Sequence, residues 1–189
     1  MLTIISGKHR GKKIETKRDK KIRPTSSRAR GAIFNILLHG SFSGEDSPVT
    51  DCNVVDVFCG TGALGLEALS RGARHVTFID ESSESVSLAR KNIEHFKETA
   101  NATAIRSDST MLPKPRHRCS LAFLDPPYNS NLAVKSLTSL ARQGWLEEGA
   151  VAVVEVAAKE TLEAPAAYAL FDERIYGNTR IVFLRYQEV

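Results

Sequence analysis

Asp125-Pro126-Pro127-Tyr128 is the stretch of this 189-residue chain whose residue types and order point most directly to chemistry. It follows the apolar run at residues 121–124, which predicts a buried strand. Two consecutive prolines lack N–H donors and stiffen the chain, so carbonyl oxygens stay exposed where the strand ends. The acid and the Pro126 carbonyl could accept hydrogen bonds from an amine, and the ring could stack on a planar group. The same tetrapeptide could simply end a strand, so its meaning depends on what lies beside it.

A second informative stretch is rich in glycine. An apolar, β-branched run precedes it and a helix-forming run follows it, so the pattern is strand, glycine turn and helix. Gly60, Gly62 and Gly65 match the G-x-G-x-x-G pattern of dinucleotide-binding folds, in which the helix N-terminus faces the ligand. Asp56 argues against a dinucleotide, because a carboxylate near the end of the strand would repel a pyrophosphate. It would suit the sulfonium and ammonium groups of S-adenosyl-L-methionine, whose own carboxylate could face the helix N-terminus.

Asp80 ends the second predicted strand, where a carboxylate can accept hydrogen bonds from both ribose hydroxyls of an adenosyl group. Ser82 and Ser83 follow, so a role for Asp80 as a helix N-cap is also open, and the two roles are compatible. In the expected strand order, the strand before Asp125 ends beside Asp56, at the topological switch point where ligands bind.

The elements that must position these residues alternate regularly from residue 53 onward. Strands are expected at residues 53–58, 75–80, 102–106, 120–124 and 150–156, with helices at about 63–71, 83–98 and 130–142 between them. Such alternation implies right-handed βαβ units and an α/β fold with a parallel sheet covered on both faces. The end of the chain differs, because the runs at 169–175 and 181–186 flank a Gly-Asn turn and predict an antiparallel hairpin.

Charge is distributed unevenly along the chain. Residues 1–30 contain 11 of the 26 Lys and Arg residues and two of the 22 Asp and Glu residues, a net charge of +9. The remaining residues have a net charge of −5, which the overall value of +4 conceals. A basic segment attached to a mildly acidic domain indicates a polyanionic partner such as a nucleic acid.

The basic segment reads as an arm followed by a helix. Residues 2–23 predict a short hairpin or arm with turns at Gly7 and Gly11. Arg23-Pro-Thr-Ser-Ser27 then predicts a helix start, because proline discourages helix before it and hydroxyls can cap the first N–H groups. In that helix, apolar residues recur at helical spacing and should pack on the domain, whereas Arg28 and Asn35 lie on the other side.

Composition narrows the class of protein further. No apolar run approaches the roughly 20 residues that span a bilayer, and no signal-peptide pattern opens the chain. Cys52, Cys59 and Cys119 form no C-x-x-C pair, so we expect reduced thiols in a cytoplasmic protein. The five histidines have no metal-ligand spacing, so we expect no metal site.

Together these motifs resemble the RsmD-type family of bacterial small-subunit ribosomal RNA guanine-N2 methyltransferases, and the resemblance runs almost from end to end. The Arg23-Pro-Thr25 element and the basic arm are the more family-specific parts. One departure is Gly31, where the family usually has an acid after the second arginine of the helix. The other matching segments are Gly7-x-x-x-Gly11, Arg28-x-Arg30, Ala32-x-Phe34-Asn35, Asp56-x-Phe-x-Gly-x-Gly62, Leu64-Gly-Leu-Glu-Ala68, Ser70-Arg-Gly-Ala73, Asp125-Pro-Pro-Tyr128 and Tyr176-Gly-x-Thr-Arg180.

The resemblance implies a class I methyltransferase fold at residues 41–189 and an RNA-binding arm and helix at residues 1–40. It implies methylation of N2 of a guanine in 16S rRNA, presented within a small-subunit assembly particle, with S-adenosyl-L-homocysteine as the second product. We expect a monomer with no membrane partner. The catalytic residues implied are Asp125, Pro126 and Tyr128; the cofactor-binding residues are Asp56, Phe58, Gly60, Gly62, Asp80 and Asp108; and the RNA-binding residues are Arg10, Lys12, Arg23, Thr25, Arg28 and Arg30.

Four rival functions stay open. Adenine-N6 DNA methylation uses the same Asp-Pro-Pro-Tyr motif, although such enzymes usually add a recognition domain for which 189 residues leave no room. Glutamine-N5 methylation of proteins would resemble Asn-Pro-Pro-Tyr and would not need a basic arm. An NAD-dependent oxidoreductase explains only the glycines, and a non-catalytic RNA-binding module explains only the arm.

Overall fold

The structure is a computed structural model that describes residues 2–16, 27–39 and 49–188. Its helices are α1 (Ser27–His39), α2 (Ala63–Ser70), α3 (Ser83–Phe96) and α4 (Leu132–Arg142), with a 3₁₀ turn at Ser109–Met111. Its strands are β1 (Asn53–Val57), β2 (His75–Asp80), β3 (Ala102–Arg106), β4 (Cys119–Leu124), β5 (Leu146–Ala157), β6 (Tyr168–Tyr176) and β7 (Thr179–Tyr186). In the part of the chain covered by these ranges, no helix is long and apolar enough to span a membrane.

These strands form one sheet in the order β3-β2-β1-β4-β5-β7-β6. Strands β1 to β5 pair in parallel, whereas β7 runs antiparallel to both β5 and β6. The predicted parallel sheet and its antiparallel C-terminal hairpin are therefore confirmed. Because β1 lies between β2 and β4, the strand order reverses beside β1, and a crevice for ligands opens at the carboxyl ends of these strands.

Helices cover both faces of the sheet. On one face, Val54 and Phe78 share a buried apolar cluster with side chains of α1, α2 and α3. On the other face, Val55 and Val57 share a second cluster with Leu137 of α4. The alternation of neighbouring strand residues between two apolar clusters is what a sheet buried on both sides requires.

Close contact between α2 and β2 depends on glycine. A Cβ atom at Gly65 would lie 2.3 Å from Cε1 of Phe78, so any side chain there would push the helix away from the strand. Gly62, which precedes α2, has a φ of 81°, a backbone conformation that glycine adopts at little cost. The glycine turn thus brings the N-terminus of α2 close to the carboxyl edge of the sheet.

The N-terminal segment forms the expected hairpin-like arm. Thr3 and Lys13 form an antiparallel bridge, and the amide of Ile14 donates to the carbonyl of Leu2. Leu2, Ile4 and Ile14 are buried in the same cluster as the α1 side chains and the sheet. The predicted domain boundary between residues 40 and 41 lies outside the described residues, as do Arg23 and Thr25.

Candidate active site

The carboxyl edge of the sheet gathers three acids. Asp56 lies near the end of β1, Asp80 ends β2, and Asp125 directly follows β4. A cavity of about 440 Å³ opens at this edge, a volume typical of small-molecule sites. Three of the predicted cofactor-binding residues are on its wall, which includes Phe58, Asp80, Ser82, Asp108, Pro127 and Leu132.

The backbone of the glycine turn adopts an unusual conformation where it lines this cavity. Phe58 has a φ of 65°, which is rare for a bulky residue and costs conformational energy. The turn is fixed at two points, because the amide of Cys59 donates to the carbonyl of Ile79 and the amide of Gly60 donates to Oδ2 of Asp80 at 3.0 Å. Residues in such strained conformations concentrate at functional sites, which fits the predicted role of this loop.

Asp80 ties the glycine turn to the start of α3. Its Oδ2 accepts from the amide of Gly60, and its Oδ1 accepts from the amide of Ser82 at 2.9 Å. The cap of α3 is Ser82, whose Oγ accepts from the amide of Ser85, so Asp80 is not itself the helix cap. Because Asp80 also lines the cavity, its carboxylate remains well placed for the predicted contact with ribose hydroxyls.

Asp56 is more deeply buried than a direct contact with the cofactor would require. Its side chain is buried, with 2% of its surface exposed, and Oδ2 accepts from the amide of Gly65 at 2.9 Å. Burial raises the pKa of Asp56 to about 7; the Gly65 hydrogen bond opposes this, and the charges of Asp125 and Asp80 add to it. Asp56 is not among the residues that line the cavity. The structure thus gives it a helix-anchoring contact, and its cofactor role stays a prediction.

Asp108 behaves as a turn-former that also faces the cavity. Its Oδ1 accepts from both the amide and the hydroxyl of Thr110, at 2.8 and 2.7 Å, and so caps the 3₁₀ turn. The Thr110 hydroxyl and amide hydrogen bonds hold the pKa of Asp108 below its usual value. A contact with the adenine amine would have to use the remaining acceptor capacity of this carboxylate.

The Asp125-Pro-Pro-Tyr128 loop is held by residues of β5 and β7, the next two strands of the sheet after β4. Pro126 is buried, whereas 37% of the Tyr128 surface is exposed. The Tyr128 hydroxyl donates to Oε1 of Glu155 at 3.0 Å and lies 2.9 Å from Oγ1 of Thr179. These contacts fix one end of the tyrosine and leave part of the ring available for stacking.

Sequence reasoning missed the residues that hold this loop. Besides Glu155 and Thr179, Glu160 accepts from the amide of Asn129 at 3.0 Å, and its own carbonyl accepts from Arg180. The Tyr176-Gly-x-Thr-Arg180 segment was a visible signal, because it matched the family pattern without an assigned role. Its contacts show that the C-terminal hairpin supports the loop that follows β4.

Comparisons with known proteins agree on one family. A family model described as Conserved hypothetical protein 95 matches residues 2–185. The ribosomal RNA small subunit methyltransferase D of Escherichia coli strain K12 is 32% identical over 98% of this chain and 89% of its own length. That of Haemophilus influenzae is 30% identical over 92% of this chain and 88% of its own.

The chain belongs to the ribosomal RNA small subunit methyltransferase D family. The structure of the Escherichia coli protein yhhF aligns with a TM-score of 0.83 and 28% identity, covering 100% of this chain and 99% of that chain. Membership confirms the expected resemblance, the class I methyltransferase fold and the methyltransferase class of the enzyme.

In this member of the methyltransferase D family, the predicted RNA-binding residues differ in exposure and in the contacts that they make within the protein. Arg10 and Arg28 are exposed. The Lys12 ammonium donates to the carbonyl of His95 at 2.6 Å and lies 4.7 Å from the centre of the Phe96 ring. Lys12 therefore contributes to holding the arm on α3 as well as to its charge.

The prediction that Arg30 binds RNA needs correction. Arg30 is fully buried, with 0% of its surface exposed; its Nη2 donates to the carbonyl of Thr3, and its Nε lies 3.6 Å from Oε2 of Glu67. Burial lowers the pKa of Arg30, and the charge of Glu67 opposes this shift. A phosphate cannot reach a guanidinium in this position, so Arg30 joins α1 to the arm and to α2.

Glu67 is the anchor of the arm in this family member. Its carboxylate is buried and accepts from the amides of Ile5 and Ser6 at 2.8 and 3.0 Å. It also accepts from Nε of Arg71 at 2.8 Å. The arm therefore binds α2 through its own backbone, which leaves several of its cationic side chains pointing away.

Proposed function

We propose that this enzyme methylates the exocyclic N2 amine of a guanine in 16S rRNA. The single observation that carries the proposal is the position of Asp125, directly after β4 and beside the end of its parallel neighbour β1, at the switch point of the sheet. An acceptor at that place beside a small-molecule cavity suits an amine that must meet a methyl donor. The names of the family's relatives, which specify the small ribosomal subunit, support the choice of RNA.

The residues present fit S-adenosyl-L-methionine better than a dinucleotide. The cavity is lined by the carboxylates of Asp80 and Asp108, which suit hydroxyl and amine donors, and Asp56 lies behind the glycine turn. A pyrophosphate would be repelled by this set of acids, whereas a sulfonium and an ammonium would be attracted. When bound, the cofactor supplies the methyl group as an electrophile, and the sulfide is the leaving group. Asp80 would hold its ribose, and the amides at the start of α2 would face its carboxylate.

The remaining chemistry is done by the loop after β4. The amine of a planar base is a poor nucleophile because its lone pair is delocalised into the ring. Hydrogen bonds from that amine to the Asp125 carboxylate and the Pro126 carbonyl favour a pyramidal nitrogen that directs its lone pair outward. The Tyr128 ring, fixed at its hydroxyl by Glu155 and Thr179, stacks on the base and holds the line of attack. Positioning and electrostatics supply most of the acceleration in such a transfer.

Asp125 does not need to be a strong base in this mechanism. The amine gains positive charge only as the new carbon–nitrogen bond forms, and its proton becomes acidic at that stage. The Asp125 carboxylate, already bonded to that hydrogen, then accepts the proton and passes it to water.

The arm and α1 supply the RNA contact in this proposal, so residues 1–40 bind RNA and residues 41–189 catalyse. Arg10 and Arg28 are exposed and suited to phosphates, and Arg23 and Thr25, outside the described residues, complete the predicted set with Lys12. We propose that the enzyme acts as a cytoplasmic monomer on a partly assembled small subunit. A guanine in a loop or bulge is the best target, because it leaves its stack at the lowest cost.

The test is to map methylated nucleosides in 16S rRNA from cells that lack this protein. We expect one guanine to lose its N2 methyl group and to regain it with the wild-type gene but not with an Asp125→Ala variant. Unchanged methylation, or a loss on adenine N6, would contradict the proposal. A calorimetric titration of the purified protein with S-adenosyl-L-methionine and with NAD separates the methyltransferase from an oxidoreductase independently.

A further inference from the structure

A second cavity opens at the amino edge of the sheet, away from the candidate active site. Its volume is about 250 Å³, and residues at or near the starts of β1, β2 and β3 contribute to its wall. Strand β1 has five residues, so at about 3.3 Å per residue its amino end lies about 13 Å from its carboxyl end. The side chains on this wall that can donate a hydrogen bond to an anion include His75, Thr77, Thr103, Lys114, Arg116 and His117.

The loop at residues 113–118 brings positive charge to this cavity. Its sequence, Pro-Lys-Pro-Arg-His-Arg, contains three Lys or Arg residues and one His, and no acid occurs anywhere in residues 109–124. The two prolines restrict the φ angles of the loop. Trp145 Nε1 donates to the carbonyl of Pro113 at 2.8 Å, and Asn53 Nδ2 donates to the carbonyl of Arg118 at 3.2 Å. The backbone is therefore anchored at both ends of the loop, and the side chains between them extend from a fixed position.

Three side chains of this loop are not used to hold the fold. Lys114, Arg116 and His117 are exposed, and their side chains form no hydrogen bond or ion pair with any residue that the structure describes. Arg118 differs, because its Nη2 lies 3.1 Å from Oε1 of Glu188. The cations that line the cavity are thus the ones that remain available to a ligand.

These cations act on one point of the cavity wall. Burial lowers the pKa of His75, and the charges of His117 and Arg116 add to this shift. Burial also raises the pKa of Cys119, to which the charge of Glu147 adds, but Glu147 does not line the cavity. In the part of the chain that the structure describes, the cavity wall contains neither Asp nor Glu. Like charges that are held together without a counter-ion repel one another, so this cavity favours an anion.

A phosphate of an RNA backbone suits this site better than a small free anion. Single exposed cations bind one small anion weakly in water, whereas a polyanion gains from several phosphate contacts at once through the release of counter-ions. The site also lies on the face of the sheet opposite the arm. Leu2 and Ile4 of the arm belong to the first apolar cluster, whereas Leu112 and Trp145, which contact the loop or adjoin it, belong to the second.

We infer that the second cavity is an additional RNA-binding site, in which Lys114, Arg116 and His117 bind backbone phosphate of the substrate RNA. This inference rests on the proposed RNA-methyltransferase function and adds a contact within the catalytic domain to those of the arm and α1. Because the site lies at the opposite edge of the sheet from Asp125, it positions the RNA and takes no part in methyl transfer.

The inference can be tested with the double variant Lys114→Gln/Arg116→Gln. Both side chains are exposed, so the variant should fold as the wild type does. The slope of log affinity for small-subunit RNA against log salt should flatten by about one unit for each cation removed. The KM for that RNA should rise, whereas kcat at saturating RNA and the affinity for S-adenosyl-L-methionine should stay unchanged.

The matched control is Arg74→Gln. Arg74 is also an exposed cation at the amino edge, directly before His75, but it donates to both carboxylate oxygens of Asp51 at 3.0 and 2.8 Å. Because Asp51 already neutralises it, its loss should leave the salt slope unchanged. The same flattening per cation in the control and in the double variant would show that the slope follows net charge and would overturn the assignment to this cavity.

The wild-type protein allows a test that requires no variant. Acylation of Lys114 by an amine-reactive reagent, measured by mass spectrometry, should slow when saturating small-subunit RNA is present. Inorganic phosphate at the same phosphate concentration should not slow it. Unchanged acylation of Lys114 with RNA bound would overturn the inference, and equal protection by inorganic phosphate would do so by showing a site for free anions.

Failure of this inference and failure of the proposed function give different results. If only the inference fails, the wild-type enzyme methylates small-subunit RNA, and the double variant matches it in salt slope and in KM. If the proposed function fails, the wild-type enzyme does not methylate small-subunit RNA at all.

Discussion

The carboxyl edge of the sheet and the N-terminal arm use charge in opposite ways. At the edge, acids from separate strands converge, and burial raises the pKa of Asp56 to about 7. In the arm, basic residues lie on a hairpin whose backbone amides donate to the Glu67 carboxylate and to Ser70. Chemistry on an amine requires hydrogen-bond acceptors fixed close together, whereas contact with a polyanion requires cationic side chains that are exposed to solvent. The edge meets its requirement with side chains, whereas the arm is held by backbone amides together with the side chains of Lys8, His9 and Lys12.

The two regions meet at Asn92 of α3. Its side chain is buried, accepts from the amide of Glu15 at 2.8 Å and donates to the carbonyls of Glu15 and Thr61. Glu15 belongs to the arm and Thr61 to the glycine turn, so one amide group joins both. Displacement of the arm would therefore leave Oδ1 of the buried Asn92 without its donor, at a cost of about 1–3 kcal/mol, next to the bond that Asn92 makes to the glycine turn.

The largest effect on stability should come from removing the arm's anchor. Glu67→Ala leaves two backbone amides without their acceptor and the buried Arg30 guanidinium without its ion-pair partner, and breaking a buried ion pair costs about 3–5 kcal/mol. Urea unfolding should show this loss in the free energy of unfolding. The control Glu94→Ala removes an exposed acid from α3 and should change stability by less than about 0.5 kcal/mol. Equal effects of the two variants would show that the arm is not held through Glu67.

A pH dependence should mark the acidic edge. Because the folded pKa of Asp56 is raised, the folded state binds more protons than the unfolded state, and stability falls as pH rises from about 4 to about 7. Asp56→Asn, which can still accept from Gly65, removes this loss. Across that pH range, the free energy of unfolding of the variant should rise relative to that of the wild type by on the order of 4 kcal/mol in total. A constant difference between the two proteins from pH 4 to pH 8 would contradict a raised pKa at Asp56.

Cofactor affinity should depend on Asp80 to a smaller degree. Asp80→Ala leaves two ribose hydroxyls without acceptors and frees the amide of Gly60, so binding should weaken by about 1–3 kcal/mol. Isothermal calorimetry with S-adenosyl-L-methionine measures this directly. The matched control Asp172→Ala changes an acid on β6, in the C-terminal hairpin, and should bind normally. Normal affinity in Asp80→Ala would remove this residue from the cofactor site.

The smallest effects should come from single cations of the arm and of α1. Arg10→Gln and Arg28→Gln each remove one exposed charge, so the slope of log affinity for small-subunit RNA against log salt should flatten by about one unit or less. Arg30→Gln should leave the slope unchanged, because that side chain is buried. An equal change in the slope for all three variants would show that burial does not distinguish these arginines.

Elements with a strong local pattern were predictable from the sequence. The bounds of β1, β2 and β3 agree with the predicted strands to within one residue, because these strands are short apolar runs limited by turn residues. Strand β5 begins at Leu146, four residues earlier than predicted, because Glu147, Glu148 and Gly149 interrupt its apolar pattern. Those acids are exposed, and Gly149 has a φ of 76°, so the early part of the strand lacks the signals of a buried one.

Contacts between distant residues were not predictable. Arg30 looked like a surface cation because its ion-pair partner, Glu67, lies in another helix and resembles any helical glutamate. The bond between Tyr128 and Glu155 likewise joins two strand ends that only the folded sheet brings together. The motifs thus located the site, whereas the groups that hold its side chains depend on tertiary packing.

The most direct test of the central claim is the single-turnover rate of methyl transfer to small-subunit RNA at saturating cofactor, with identification of the methylated nucleoside. We expect N2-methylguanosine from the wild-type enzyme. Asp125→Ala and Tyr128→Ala should lower the rate by at least about tenfold, or roughly 1.4 kcal/mol of barrier, while cofactor affinity stays unchanged. Wild-type rates in both variants would exclude this loop from the mechanism. A product of N6-methyladenosine would retain the mechanism and contradict the substrate.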